Sequence, residues 1–254
     1  MTLSLDAPEW DSLATAYGTG KYVPEWLRKL ESQDPDAIEE LYLRLCHQRS
    51  VYSSSIAALP HLVRIAKSIE NIEFRGDILG LVGAICESRE FPDVLNASNE
   101  GPTILLVLAK ALNLTEGLLP KVSDVNVAIY LLCSAAALSG FAGLARVIEG
   151  FVDEEFCVVC PGCGSELYVW PNVDQLMVAA EDPVTHRDTT RIAVMPGPIA
   201  SVGDLTHYSW MIERAGRSPV LAEVSELIPS LFGTATCPKC RTSFALMDRL
   251  IETD

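Results

Sequence analysis

The chain has 254 residues, 49% of them apolar, with 34 acidic against 19 basic side chains and a formal net charge of -15. That length and apolar content allow a buried core in one or two domains, while the charge disfavours nucleic acid and other polyanions and favours a basic protein partner. The acid is not held in a tail, since 22 acidic and 12 basic residues lie up to Glu155, and 12 and 7 lie beyond it.

The first ten residues carry Asp6 and Glu9 and lack the basic-then-apolar pattern of a secretory leader. The eight cysteines are therefore expected to be reduced, in a cytoplasmic setting. Trp10 to Tyr22 reads as a short capping segment turning at Tyr17-Gly18-Thr19-Gly20. Pro24 opens a helix through Leu30, and Asp34-Pro35-Asp36 supplies an N-cap, a first-turn proline and a first-turn acid for the next. Ile38, Leu41, Tyr42 and Leu45 then repeat as one apolar stripe.

Beyond the connector His47 to Tyr52, Ser53 to Ser55 are expected to cap a helix with Ile56, Leu59, Leu62, Val63 and Ala66 inside. Pro60 either kinks that helix or marks its start. Helical patterns continue at Asp77 to Ser88, Thr103 to Asn113, Asp124 to Leu138 and Phe141 to Glu149. Val127 to Ala145 is a 19-residue run without a charge, but Ser139-Gly140 and Gly143 interrupt it. A buried helix is expected there rather than a membrane span. Serial helices with short turns and no convincing strand before Phe156 predict a mainly α fold of stacked antiparallel helix pairs over residues 1–155.

Residues 156–254 carry two Cys-Pro-x-Cys turns, Cys160-Pro161-Gly162-Cys163 and Cys237-Pro238-Lys239-Cys240, each followed by a strand-like segment. Together they read as the two knuckles of one split zinc ribbon, with four thiolates completing the tetrahedron that Zn²⁺ accepts. The expected metal ligands are Cys160, Cys163, Cys237 and Cys240, and four thiolates leave no open position for catalysis. Cys157 lies close to the first pair but lacks the proline and glycine that shape a knuckle, so it reads as a spare thiol. Between the knuckles, Val173 to Gly203 reads as an irregular excursion. Asp204 to Ala215 and the segment from Ser218-Pro219 read as a helical hairpin that the metal would pin in place.

Trp10-x-x-Leu13, Ala16-Tyr17-Gly18, Val23-Pro24 and His47-Gln48-x-Ser50-Val51-Tyr52-Ser53, ending in Ala57-Ala58-Leu59-Pro60, carry a resemblance. They resemble bacterial HEAT-repeat proteins built on an "AYG … VP … HQGxVYxAxxAAxPFL" pattern. Some of those proteins also carry Cys-Pro-x-Cys-Gly-x-x-Leu and end in Phe-Gly-Thr-Ala-Thr-Cys-Pro-x-Cys, which Phe232 to Cys240 match closely. The chain departs from the pattern at Arg49, where glycine is usual, and at His61, where an aromatic is usual. The resemblance implies a HEAT-like α-solenoid ending in a small β ribbon. It also implies an immunity protein that binds and blocks a cognate bacterial toxin.

Other chemistry in the chain has plainer readings. Cys46-His47 invites a nucleophile, yet helix neighbours point about 100° apart, and Cys46, Cys86 and Cys133 read as buried structural thiols. Asp182 and His186 come without a nucleophile or phosphate-binding motif, so no enzyme is expected. Lys239 and Arg241 offset a negative metal site rather than define a nucleic-acid surface. Asp36, Glu39 and Glu40 are the candidate contacts for a basic toxin domain, beside the simpler role of complementing a helix dipole. The alternative function is a scaffold for cellular proteins, with zinc purely structural.

Overall fold

The computed structural model describes residues 2–98, 101–172, 174–197 and 202–252, the side chains of 202–204 excepted. It is mainly helical, with small antiparallel sheets, the largest of them near the C-terminus. The chain divides into two compact units, Met1–Ala145 and Arg146–Asp254.

In the first unit a 3-10 turn at Pro8–Ser12 precedes a two-strand hairpin, β1 (Ala14–Thr15) with β2 (Gly18–Thr19), which the sequence pattern did not announce. Seven helices follow: α1 (Val23–Glu31), α2 (Pro35–Leu45), α3 (Ser53–Ser68), α4 (Ile72–Glu87), α5 (Phe91–Ala97), α6 (Gly101–Leu118) and α7 (Val125–Leu138). The division between units falls inside α8 (Ala142–Asp153).

Local chemistry accounts for the helix boundaries. Asp34 caps α2 as expected, its side chain accepting from Asp36 N at 3.1 Å, and Asp124 caps α7 by accepting from Asn126 N and Val127 N. The buried stripe of α2 is Ala37, Leu41 and Leu45, with Ile38 and Tyr42 only half-buried at its edge. The N-cap of α3 is Tyr52, and of the expected serines Ser55 takes part in capping, as the third helical residue of a capping box. Ser53 Oγ accepts from Ala14 N and Ser54 Oγ donates to Ala14 O, so they tie α3 to the hairpin, while Ser55 Oγ accepts from Tyr52 N and donates to Leu45 O. Pro60 lies inside α3, which runs through it from Ser53. Asn71 caps α4 by accepting from Phe74 N, so α4 begins well before the expected Asp77.

The helices pack in pairs, α1 with α2, α3 with α4 and α6 with α7. Across pairs, α1 touches α3 and α3 touches α6, while α2 touches α4 and α4 touches α7, giving two rows. The α4–α7 seam is the tightest. A Cβ at Gly76 would lie 2.3 Å from Val127 Cγ1, and one at Gly83 would lie 2.1 Å from Ser134 Oγ. Ser134 Oγ is 3.0 Å from Leu79 O across the seam and 2.8 Å from Tyr130 O in its own helix, and its hydroxyl is shared between the two carbonyls. The uncharged stretch of α7 is buried, as expected. Gly101–Lys121 is long and apolar enough to cross a membrane by length and composition, with 28% of its most apolar window buried.

Asp77 sits on α4 one turn after Glu73 and near Asp124. Burial, then the negative charges of Glu73 and Asp124, push its carboxyl up to about 6. The folded chain therefore holds the Asp77 proton more tightly than the unfolded chain. The resulting penalty is absent below the unfolded value of 3.8, grows as pH rises toward 6, and is complete above it. Asp77→Asn is expected to stabilise the protein by about 1 kcal/mol at pH 8, after allowing for solvent screening of a half-exposed group, and to change little at pH 3.5. Urea unfolding at the two pH values measures the difference.

The second unit opens with a four-stranded sheet ordered β3 (Phe156–Val159), β4 (Glu166–Asn172), β5 (Gln175–Ala179) and β6 (Arg191–Ala193). The expected irregular excursion thus contains two strands. Pairing with β4 makes the first of them a strand, with Leu176 and Val178 pointing inward beside Leu167 and Val169 of β4. Then come α9 (Val202–Ala215), α10 (Ala222–Leu231), the pair β7 (Thr234–Thr236) and β8 (Ser243–Ala245), and α11 (Leu246–Glu252). The expected helix start at Asp204 is two residues late, and that residue's side chain lies outside the described residues. α9 packs on α10, α10 on β5, and α11 on β3. Met195 and Thr234 exchange both backbone hydrogen bonds at 2.9 Å, which joins the end of the excursion to the second knuckle's hairpin.

Candidate metal centre

Each Cys-Pro-x-Cys turn leaves one strand and enters another, and the two turns have the same backbone plan. In the first, Cys160 N donates to Ser165 O and Gly164 N to Cys160 O, both at 2.9 Å. In the second, Cys237 N donates to Thr242 O at 2.9 Å and Arg241 N to Cys237 O at 3.0 Å. Gly164 and Arg241 occupy equivalent positions and share a left-handed backbone, with φ of 70° and 65°. Glycine takes that conformation without strain, whereas arginine is held there by the turn. Gly162 has no room for a side chain, since its Cβ would meet Thr242 Oγ1 at 2.2 Å. The knuckles are face to face because that position is bare.

Their sulfurs converge. The ligand atoms of Cys160, Cys163, Cys237 and Cys240 all lie within 4.8 Å of one another. Cys160 Sγ is 3.6 Å from Cys240 Sγ, and Cys163 Sγ is 3.8 Å from Cys237 Sγ. These separations are far from a disulfide bond and close to about 3.8 Å, the edge of a tetrahedron with metal–sulfur bonds of about 2.3 Å. All eight cysteines are free. The arrangement is compatible with one structural metal ion.

The environment suits thiolates on the outer side of the cluster. Thr242 Oγ1 lies 3.2 Å from Cys240 Sγ, and this hydroxyl together with the Thr242 backbone N–H brings the thiol down to about 6. Ser165 plays the same part at Cys163, its hydroxyl 3.4 Å from the sulfur and lowering its pKa. Cys160 is buried and its thiol is pushed up to about 11, opposed by the backbone N–H groups of Cys163 and Gly162. Such a buried thiol loses its proton to solvent readily only when a cation takes the proton's place on sulfur, so binding metal there would release protons.

The other candidate residues lie elsewhere. Cys157 is exposed on β3, opposite Tyr168, with its sulfur 3.5 Å from Glu155 Oε1. It is not in the four-sulfur group. Burial first, then Glu155, pushes its thiol up to about 11, the opposite of what a reactive cysteine needs. Cys86 and Cys133 are buried, and Cys46 is half-buried at the C-terminal end of α2. The Asp182 carboxylate is used within its own turn, accepting from Val184 N at 2.8 Å and Thr185 Oγ1 at 3.0 Å. His186 Nδ1 meets Thr185 Oγ1 rather than Asp182. Asp36 and Glu39 are exposed on one side of α2, whereas Glu40 is partly covered and paired with Arg44 at 2.9 Å.

The Ser165 and Thr242 hydroxyls were not foreseen from the sequence, although both stand two residues after the second cysteine of a knuckle. That repeated position was the available signal. Compared with known proteins, the chain matches no family description, no curated protein and no solved structure.

Proposed function

We propose that this is a non-enzymatic immunity protein, a stack of HEAT-like helix pairs with a zinc-clipped ribbon, that binds and blocks a basic bacterial toxin domain. The observation that carries the docking reading is the outward side of α2. Asp36 and Glu39 stand exposed there without an ion pair among the described residues, in a chain of net charge -15. The two rows of paired helices support the HEAT-like description, because repeats stack like with like. Arg49 supports it too, since its φ of 63° is the conformation that the glycine of the resembled pattern takes freely. Zinc is the proposed ion because a closed set of four thiolates is its structural form.

The test is association with a basic toxin domain encoded beside the gene. Asp36→Lys with Glu39→Lys is expected to slow association about tenfold or more at low salt and to change dissociation less. Absence of binding at micromolar excess of the unaltered protein defeats the immunity reading. One observation favours the scaffold reading instead: Leu105 and Leu106 of α6 are 59% and 67% exposed. Loss of partner binding on Leu105→Ser with Leu106→Ser, and not on the charge reversal, selects an adaptor that docks through apolar surface.

A further inference from the structure

A cavity of about 690 Å³ lies in the first unit between the second half of α3 and the middle of α6. Its charge is the reverse of the chain's. Arg64, Lys67 and Lys110 line it, and no carboxylate is among its lining residues. Arg64 is paired with Glu31, but Lys67 and Lys110 make no ion pair among the described residues. Two ammonium groups are thus left facing a space within a protein of net charge -15.

Beside Thr2, His61 and Asn113, the rest of the wall is apolar. Pro60, Val63, Arg64 and Lys67 follow one another at helical spacing along α3, and Val107, Lys110 and Leu114 do so along α6. A second cavity of about 520 Å³ continues toward the N-terminal ends of the same helices, lined mainly by apolar side chains such as Ile56, Ala57, Leu13 and Ile104, with Glu9 and a few hydroxyls also on its wall. The two meet at Thr2 and Pro60. α3 and α6 therefore run side by side in the same direction, with an apolar end near Ile56 and Ile104 and a cationic end near Lys67 and Lys110. His61 fixes the wall at the junction. It is 6% exposed, and its Nε2 lies 2.7 Å from Leu3 O, which holds the N-terminal segment across α3.

From this polarity we infer that the α3–α6 groove binds a small amphipathic carboxylate, its head between Lys67 and Lys110 and its tail along Val63, Val107 and Pro60 toward Ile104. Both cavities fall within the size range of small-molecule sites. Lysines meet an anion as point charges, and the polar groups beside them are Thr2, Asn113, His61, whose Nε2 is taken up by Leu3 O, and Arg64, whose guanidinium is already paired with Glu31. That set balances a single carboxylate and offers little of the multidentate cradle that a phosphate dianion needs. The apolar wall then decides in favour of a ligand with a hydrocarbon tail.

The probe is decanoate, below its aggregation concentration, titrated calorimetrically into the full chain, with inorganic phosphate as the comparison. One decanoate per chain is expected, with affinity reduced about tenfold or more by Lys67→Ala with Lys110→Ala. Both lysines are exposed, so this variant keeps its fold, which circular dichroism checks. Ala57→Trp, which fills the apolar end, is expected to weaken decanoate without creating phosphate binding. No saturable decanoate binding overturns the inference, as does binding that the lysine variant leaves unchanged. Phosphate binding as tightly as decanoate overturns it too, because the groove would then be reading charge alone.

Discussion

Cys237→Ser is expected to abolish retention of the metal and to loosen the ribbon at both knuckles. Cys237 is fully buried, and its sulfur is 3.8 Å from that of Cys163. A serine hydroxyl at the same place is shorter and is not a soft thiolate, so the tetrahedron loses one of its four soft corners. The consequence reaches along the chain because an ion held by both knuckles would close a loop of 73 residues, 164–236. Losing that cross-link costs ~4 kcal/mol in loop-closure terms alone. Amide exchange in Phe156–Val159, Thr234–Thr236 and Ser243–Ala245 should accelerate by about a thousandfold as a result. Metal content after chelator challenge is the primary measurement, expected at one zinc ion per chain for the unaltered protein and near zero for the variant. Cys157→Ser should keep its ion. A variant at Cys237 that retained full metal would show that Cys157 or another donor completes the site.

The four-cysteine cluster was legible because its chemistry is written locally. Cys-Pro-x-Cys specifies both the donors and the turn that aims them, and two copies in one chain pointed to one shared site. The strands β5 and β6 were harder to see. Gln175–Ala179 alternates over only five residues and is followed by Asp182-Pro183, so its partner strand, not its own pattern, makes it a strand. α11 has seven residues, too few for a period to emerge. The start of α4 was missed for another reason. Asn71 is a good cap, but Ile72-Glu73-Phe74-Arg75-Gly76 shows no clean apolar stripe, and the glycines after it read as interruptions. Their purpose depends on a neighbour some fifty residues away, which no local pattern contains. The acidic side of α2 lies between these cases. Asp36 and Glu39 were readable as acids near a helix start and as candidate contacts, whereas the pairing of Glu40 with Arg44 shows only in the folded chain.

Those glycines set the second large effect. Gly83→Ala is expected to destabilise the first unit by about 3 kcal/mol, even though alanine in place of glycine inside a helix is ordinarily worth about 1 kcal/mol in its favour. The sign turns on space. The added methyl would lie 2.1 Å from Ser134 Oγ and 2.5 Å from both Ser134 Cβ and Cα. A side chain can rotate away, but the Cα belongs to the backbone of α7, so the helices must separate. Separation opens the packing of Leu79, Val82, Leu131 and Ala135, all essentially unexposed, and stretches the Ser134 hydroxyl from Leu79 O. Ser134→Gly removes two of the three clashing atoms and should restore part of the loss in the double variant, while costing stability alone because it removes that hydrogen bond. Urea unfolding of the four proteins, followed by far-ultraviolet circular dichroism, gives the coupling directly. A Gly83→Ala protein as stable as its parent would mean that α4 and α7 do not approach this closely, and the row of α2, α4 and α7 would lose its tightest seam.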